Sequence, residues 1–374
     1  MKVLFVSHNA NRAGAPLALL QELQVIKSKR PKLEAEVLFL KDGDIKEDFK
    51  ELFPVLICSN SNNSLFNRIL RRLKIKRYPN DYLSLCKKGR YNLIYANTVA
   101  SFDAAIKIKN KLQIPLIGHV HEAESLVKEH NMTKEHFEEF DKIITVSELA
   151  LNNLITNYEV PKQKITIQRP ISKWVEKLIN GNIIVPPKNK EDYDYEIAVF
   201  SNPGWQKGLD ILPYVIDAFS KNHPDVKCMF YIVGNIGPKH RYHIQYDLKR
   251  MSLSDRVKWL GLVNCPLNIL SQVDTLLILS REESFSLVAE EAAAVGTPIV
   301  CFEGATGAGE WIRKGAGILV PYMDFDYLAK TLYNLYSNSL LRTAIGKRGK
   351  EIVTDILKED CQMNTIVEVI DEFS

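Results

Sequence analysis

Residues 273–303 read VDTLLILSREESFSLVAEEAAAVGTPIVCFE, and their pattern decides the fold class. TLLILS is a short unbroken apolar run, too short for a helix and suited to a strand covered on both faces. SLVAEEAAAV continues with good helix formers, with Ser284 or Ser286 placed as N-cap, Gly296 as the C-terminal stop and Pro298 beyond it. TPIVCFE is a second strand. Strand, helix and strand within about 30 residues make a βαβ unit with parallel strands.

The rhythm extends outward. KVLFVSH, EAEVLFL, NLIYANT, PLIGHVHE, KIITVSE, YEIAVFSN, CMFYIVGN and VKWLGLV precede the stretch and AGILVPY follows it, each alternating with a helical pattern. The expected class is therefore α/β, with two doubly wound parallel sheets facing across a cleft. Residues 171–195, ISKWVEKLINGNIIVPPKNKEDYDY, interrupt the rhythm with Asn-Gly, Pro-Pro and a charge cluster and are expected to be a linker. Expected boundaries are a first domain over 1–170, a second over 196–350, and a tail over 351–374 whose helix packs back on the first domain. Ligands of such sheets bind beyond the carboxyl ends of the strands. Those ends carry His8, Asn97, His119, His121, Glu122 and Ser147 in the first half, and Ser201, Asn202, Gly234, Gly261 and Glu283 in the second.

The whole chain has 374 residues, 46% of them hydrophobic, 25% charged and 9% aromatic. This is a globular composition, long enough for two domains of roughly 150 to 200 residues. A net charge of +4 argues against a protein devoted to wrapping nucleic acid. Cys58, Cys86, Cys228, Cys265, Cys301 and Cys361 form no Cys-x-x-Cys pair, so neither a zinc site nor a disulfide framework is expected, and reduced cytoplasmic thiols fit. MKVLFVSHNA reads as a first strand rather than a leader, and no run of about 18 apolar residues spans a membrane.

Glu283 and Glu291 stand eight positions apart, about 12 Å along a helix. Paired carboxylates acting on one glycosidic bond lie about 5 to 9.5 Å apart, so this pair suits the two ends of one long ligand instead. The free amides at Ser286, Leu287 and Val288 would attract an anion between them. Carboxylate, anion site and carboxylate describe a nucleotide diphosphate sugar, with Glu283 at the sugar and Glu291 at the ribose. The alternative is that Glu283 complements a helix N-terminus while Glu290 and Glu291 are solvated.

DRVKWLGLV and VDTLLILSREESFSLVAEEAAAVGTPIVCFEGATGAGEWIRKGAGILVPYMD together resemble the donor-binding half of the retaining glycosyltransferases of the GT4 family. The resemblance implies the GT-B architecture of two facing Rossmann-like domains, no bound metal or cofactor, and a Glu, seven residues, Glu signature at Glu283 and Glu291. In FSNPGWQKGLDIL, Lys207 resembles the lysine that holds the donor diphosphate, while Asn202 stands where many members carry arginine. SHNANRAGAP, with the small Gly14 and Ala15, is especially like members that build polysaccharides. His121 in GHVHEAE falls where the family places a histidine near the donor sugar.

Several readings stay open beside it. His119 and His121 are expected on opposite faces of a strand and hence not to share a metal. Asn97, Glu122, Ser147 and Glu148 suit sugar or phosphate contacts, and Asn97 and Ser147 equally suit helix caps. Gly304, Gly307 and Gly309 suggest a turned loop bearing Glu310. Base contacts are expected from the backbone of Gly234, Asn235, Leu262 and Val263. SLFNRILRRLKIKRYPN places a basic amphipathic helix at residues 65–78, suited to anionic lipid or to a solvated basic face.

The activity implied is transfer of a hexosyl group, with retention, from a UDP- or GDP-sugar to a hydroxyl of a glycan or lipid-linked acceptor at the inner face of the cell membrane. A sugar-nucleotide epimerase, a hexosyl phosphorylase and a non-catalytic two-domain sugar-binding protein are the alternatives.

Overall fold

The computed structural model of the chain describes residues 1–12, 14–58, 81–86, 89–188, 193–359 and 364–374. The basic run 65–78 lies outside them. The chain divides into two compact units, Met1–Arg169 with Gln362–Ser374, and Pro170–Cys361.

The first unit holds seven strands in the order β3-β2-β1-β4-β5-β6-β7: β1 Lys2–Ser7, β2 Glu34–Phe39, β3 Val55–Ile57, β4 Leu93–Ala96, β5 Leu116–Val120, β6 Lys142–Thr145 and β7 Ile165–Ile167. All pair parallel. Every side chain of β4 and β5 is buried, because helices cover both faces of the sheet. Each fully buried Val, Leu or Ile contributes roughly 1.5–3 kcal/mol. The three-residue edge strands β3 and β7 are additions to the sequence reading.

The second unit repeats the plan with six strands, β10-β9-β8-β11-β12-β13: β8 Tyr195–Phe200, β9 Cys228–Val233, β10 Val257–Gly261, β11 Thr275–Ile278, β12 Ile299–Phe302 and β13 Gly317–Val320. These also pair parallel. The expected α/β class of two doubly wound sheets is what forms. In each unit the strand order reverses once, between β1 and β4 and between β8 and β11, which opens a crevice at the carboxyl ends of those strands.

Two boundaries differ from the sequence reading. Within the segment expected to be a linker, Ser172 caps a helix Lys173–Ile179, whose Val175 is buried in the second unit's core beside Ala289, Ala292 and Ala293. At the other end, the helix Ser339–Glu359 stays with the second unit, and only the helix Asn364–Asp371 returns to the first. Its Ile366, Val367, Val369 and Ile370 join a core with Leu19, Leu23 and Ile26, and Arg30 pairs with Asp371 at its edge. Among the described residues no helix is long and apolar enough to cross a membrane.

Candidate active site

In the second unit the turn Trp205–Lys207 follows β8 and ends at Gly208, whose φ is 63°. A Cβ on Gly208 would stand 1.9 Å from the Leu279 carbonyl oxygen, so only glycine lets this turn lie on the end of β11. That approach brings Lys207 to Glu283: Lys207 Nζ donates to Oε1 at 2.5 Å, and Ser280 Oγ donates to Oε2 at 3.0 Å. The Glu283 backbone is fixed as well, its N–H donating to Ala305 O at 2.8 Å and its carbonyl accepting from Gly307 N–H at 3.0 Å. The glycine-rich loop thus acts as a clamp on Glu283. The two side chains remain 33% and 13% exposed, so the pair is within reach of a ligand.

The helix Leu287–Val295 begins beside them and ends at Gly296 in the left-handed conformation. Its first bonds run from the Ala289 and Glu290 amides to the Ser286 carbonyl, which leaves the amides of Leu287 and Val288 ahead of the ladder. Ser286 takes the N-cap position without donating or accepting through its side chain, and its buried Oγ has no hydrogen-bond partner. A buried hydroxyl without a partner at a helix N-terminus has the chemistry of a phosphate subsite. In the same sheet the Gly234 N–H donates to Gly261 O at 2.8 Å, and a Cβ there would stand 1.9 Å from Ser201 O, tying together the ends of β8, β9 and β10. Asn202, Asn235 and Leu262 are exposed and Val263 is half-buried.

Glu290 and Glu291 are not solvated. They are 4% and 6% exposed, and both reach Ser172: its N–H donates to Glu290 Oε2 at 3.0 Å and its Oγ to Glu291 Oε1 at 2.6 Å. The covering helix Lys173–Ile179 lies in the segment expected to be a linker, and it rules out the solvated alternative for both carboxylates. Burial pushes Glu290 up to about 8, and burial pushes Glu291 up to about 7 against the Ser172 hydrogen bond.

In the first unit a second polar cluster sits where β1, β4 and β5 end. His119 and His121 share a face of the sheet, not opposite faces, because side chains two positions apart along a strand point the same way; their ring centroids are 3.8 Å apart. Asn97, buried, donates through Nδ2 to Ala15 O at 3.0 Å, so its Oδ1 faces His121 Nε2 at 3.2 Å. That amide orientation places the His121 proton on Nε2 and the lone pair on Nδ1. Burial and then the neighbouring His119 hold His121 well below the usual histidine range, so it is neutral. Glu122 turns back to accept from the His121 N–H at 3.0 Å, and burial raises it to about 7. Gly14 opens the helix Gly14–Lys29 with open space around its Cα. Ser147 is a helix cap, accepting from Ala150 N–H at 3.2 Å. Among the described residues no group of three or more His, Cys, Asp or Glu side chains converges as a metal site.

A family profile described as Glycosyltransferase Family 4 matches residues 41–170, and one described as Glycosyl transferases group 1 matches 181–352. The chain belongs to these glycosyltransferases. It is 26% identical over 277 residues to an uncharacterized glycosyltransferase of Methanocaldococcus jannaschii, covering 71% of each chain. It is 31% identical over 147 residues to N-acetyl-alpha-D-glucosaminyl L-malate synthase of Bacillus anthracis, covering 39% of this chain and 38% of that one. Among solved structures, Anabaena HepE in complex with UDP and glucose superposes with a TM-score of 0.71 at 20% identity, over 98% of this chain and 99% of that one. This likeness extends the fold assignment to GT-B.

The glycosyltransferase also contains site residues that sequence reasoning missed. Glu22, inside the helix Gly14–Lys29, is 2% exposed and accepts from Tyr95 Oη and Gln168 Nε2, each at 3.0 Å. Tyr95 Oη also lies 2.6 Å from His119 Nδ1, and burial raises Glu22 to about 7. An acidic residue in the inward period of an amphipathic helix was the available signal. Ser280 and Ser172 carried none, since a serine at a strand end or before a helix is ordinary.

Proposed function

We propose that this glycosyltransferase moves a hexosyl group from a nucleotide diphosphate sugar, with UDP- and GDP-sugars the first candidates, to a hydroxyl of a glycan or lipid-linked acceptor, with retention of configuration. The observation that carries the reading is the Lys207–Glu283 pair beside a helix N-terminus whose buried Ser286 Oγ lacks a partner. A diphosphate answers both needs. It would draw Lys207 from Glu283 and accept from Ser286 and the first helix amides, and the released Glu283 carboxylate would accept from a sugar hydroxyl.

In this scheme the bond from the anomeric carbon to the phosphate oxygen breaks as the acceptor oxygen bonds to the same carbon. The acceptor proton leaves with the diphosphate. Lys207 and the helix end stabilise the departing charge, so the protein contributes electrostatics and positioning rather than a covalent intermediate. Glu291 would meet the ribose by exchanging its Ser172 partner for a ribose hydroxyl. His121, neutral, is the histidine proposed to stand near the donor sugar. The UDP and glucose in the HepE complex support this choice of ligand. No metal enters the scheme: the positive charge it uses comes from Lys207 and the partial charge of the helix N-terminus. Synthesis of a surface polysaccharide or glycoconjugate at the cytoplasmic face of a membrane is the proposed setting, with residues 65–78 as the basic contact. Loss of binding to anionic vesicles on neutralising those arginines and lysines tests that part; equal binding at low salt refutes it.

Replacing Lys207 by Ala tests the catalytic part. Release of nucleoside diphosphate from the preferred donor should fall by about 10²–10³-fold, with the far-ultraviolet spectrum unchanged. An unaltered rate would remove Lys207 from the site.

A further inference from the structure

Trp205 is the first residue of the turn that carries Lys207, and it is 60% exposed. An exposed indole offers a ligand a broad, rigid apolar face with a polar edge. Its surroundings show that the exposure is built. The Arg281 guanidinium carbon lies 5.3 Å from the ring centroid and covers one face. That guanidinium grips Asp210 with two hydrogen bonds, at 2.8 and 2.7 Å, and donates a third to the Trp205 carbonyl at 2.8 Å. The Arg281 backbone N–H in turn donates to Gln206 O at 2.7 Å. Fixed arginine behind it and fixed backbone beneath it leave the other face of the indole presented to solvent. The same two chain segments, 204–208 and 280–283, hold Lys207 against Glu283.

We propose that the open face of Trp205 is a stacking platform for a pyranose ring. A sugar suits such a face because one side of a pyranose is a sheet of C–H bonds with slight positive charge, which an electron-rich indole attracts, while its rim of hydroxyls stays free for polar groups. Arg281 fixes the ring beforehand, so little side-chain entropy is lost on binding. The proposal rests on the reading of Lys207 and Glu283 as the sugar-nucleotide end of the unit. The ring recognised is the donor hexose or a hexose of the acceptor, and the two sources are separated by experiment.

The chain has four tryptophans, so the Trp205 indole N–H resonance is assignable by comparison with Trp205→Phe. Titration of the full chain with methyl α-D-glucopyranoside and methyl α-D-galactopyranoside, each with and without UDP, should shift that resonance saturably for at least one glycoside. UDP alone should leave it in place. Trp205→Ala should weaken glycoside binding about tenfold, the size of one lost stacking contact, while its melting temperature stays that of the parent. A shift abolished by saturating UDP-glucose assigns the platform to the donor hexose, and one that survives assigns it to the acceptor. Absence of any saturable shift, or an equal shift with UDP alone, overturns the proposal. A glycoside shift in a chain that binds no nucleotide would leave the platform standing and refute the nucleotide-sugar reading instead.

Discussion

Glu283 gains its place from three separate segments: the Lys207 turn, Ser280 at the end of β11 and the loop through Ala305 and Gly307. A carboxylate so placed can lose its charge without losing its position. Glu283→Gln should therefore keep the parent's melting temperature within a few degrees and reduce turnover by about 10²-fold or more, read by product formation at saturating donor. Gly208 is the complementary case. Its φ of 63° and the 1.9 Å gap to Leu279 O leave no room for a methyl group. Gly208→Ala should cost about 1–3 kcal/mol in denaturant unfolding, and it should weaken activity by moving Lys207. An alanine variant as stable as the parent would show that the turn does not need this approach.

Among the elements, the helix Leu287–Val295 shows how far sequence reached. Its Gly296 stop was legible, and its start to within Ser284 or Ser286, since caps and stops are local chemistry. The burial of Glu290 and Glu291 was not, because it depends on a helix from a segment rich in Asn, Gly and Pro that carries the signs of a linker. The histidine pair failed for a different reason: period-two geometry puts positions 119 and 121 on one face, and the opposite assignment misapplied it. The buried carboxylates make a pH prediction. Glu290 is raised to about 8 from 4.5 by burial, so the folded state holds its proton more tightly than the unfolded state. Its contribution is fully present below about pH 4.5 and is lost as pH rises toward 8. Thermal stability of the second unit should accordingly decline between pH 5 and 8. Glu290→Gln, which still accepts from the Ser172 N–H, should flatten that decline. A parent melting temperature that rises over this range contradicts the account.

At the scale of the molecule, two doubly wound parallel sheets were readable from alternating apolar runs, and so was the return of the last helix to the first unit, whereas the helix Lys173–Ile179 inside the expected linker was not. The last helix, Asn364–Asp371, completes the first unit after the chain has built the second. Truncating Ile370 to Ala there should cost about 2–5 kcal/mol, seen as an earlier unfolding transition of the first unit with the second unit's transition unmoved. The central claim is that the ends of β8 and β11, with the helix after them, bind the diphosphate of a sugar nucleotide. Its most direct test is calorimetric titration of the parent and of Lys207→Ala with UDP, GDP and dTDP and their glucose conjugates. At least one nucleotide should bind the parent, and its affinity should fall about 10- to 100-fold in the variant, as expected for a charge-assisted contact. Binding of none of them, or equal binding by parent and variant, would contradict it.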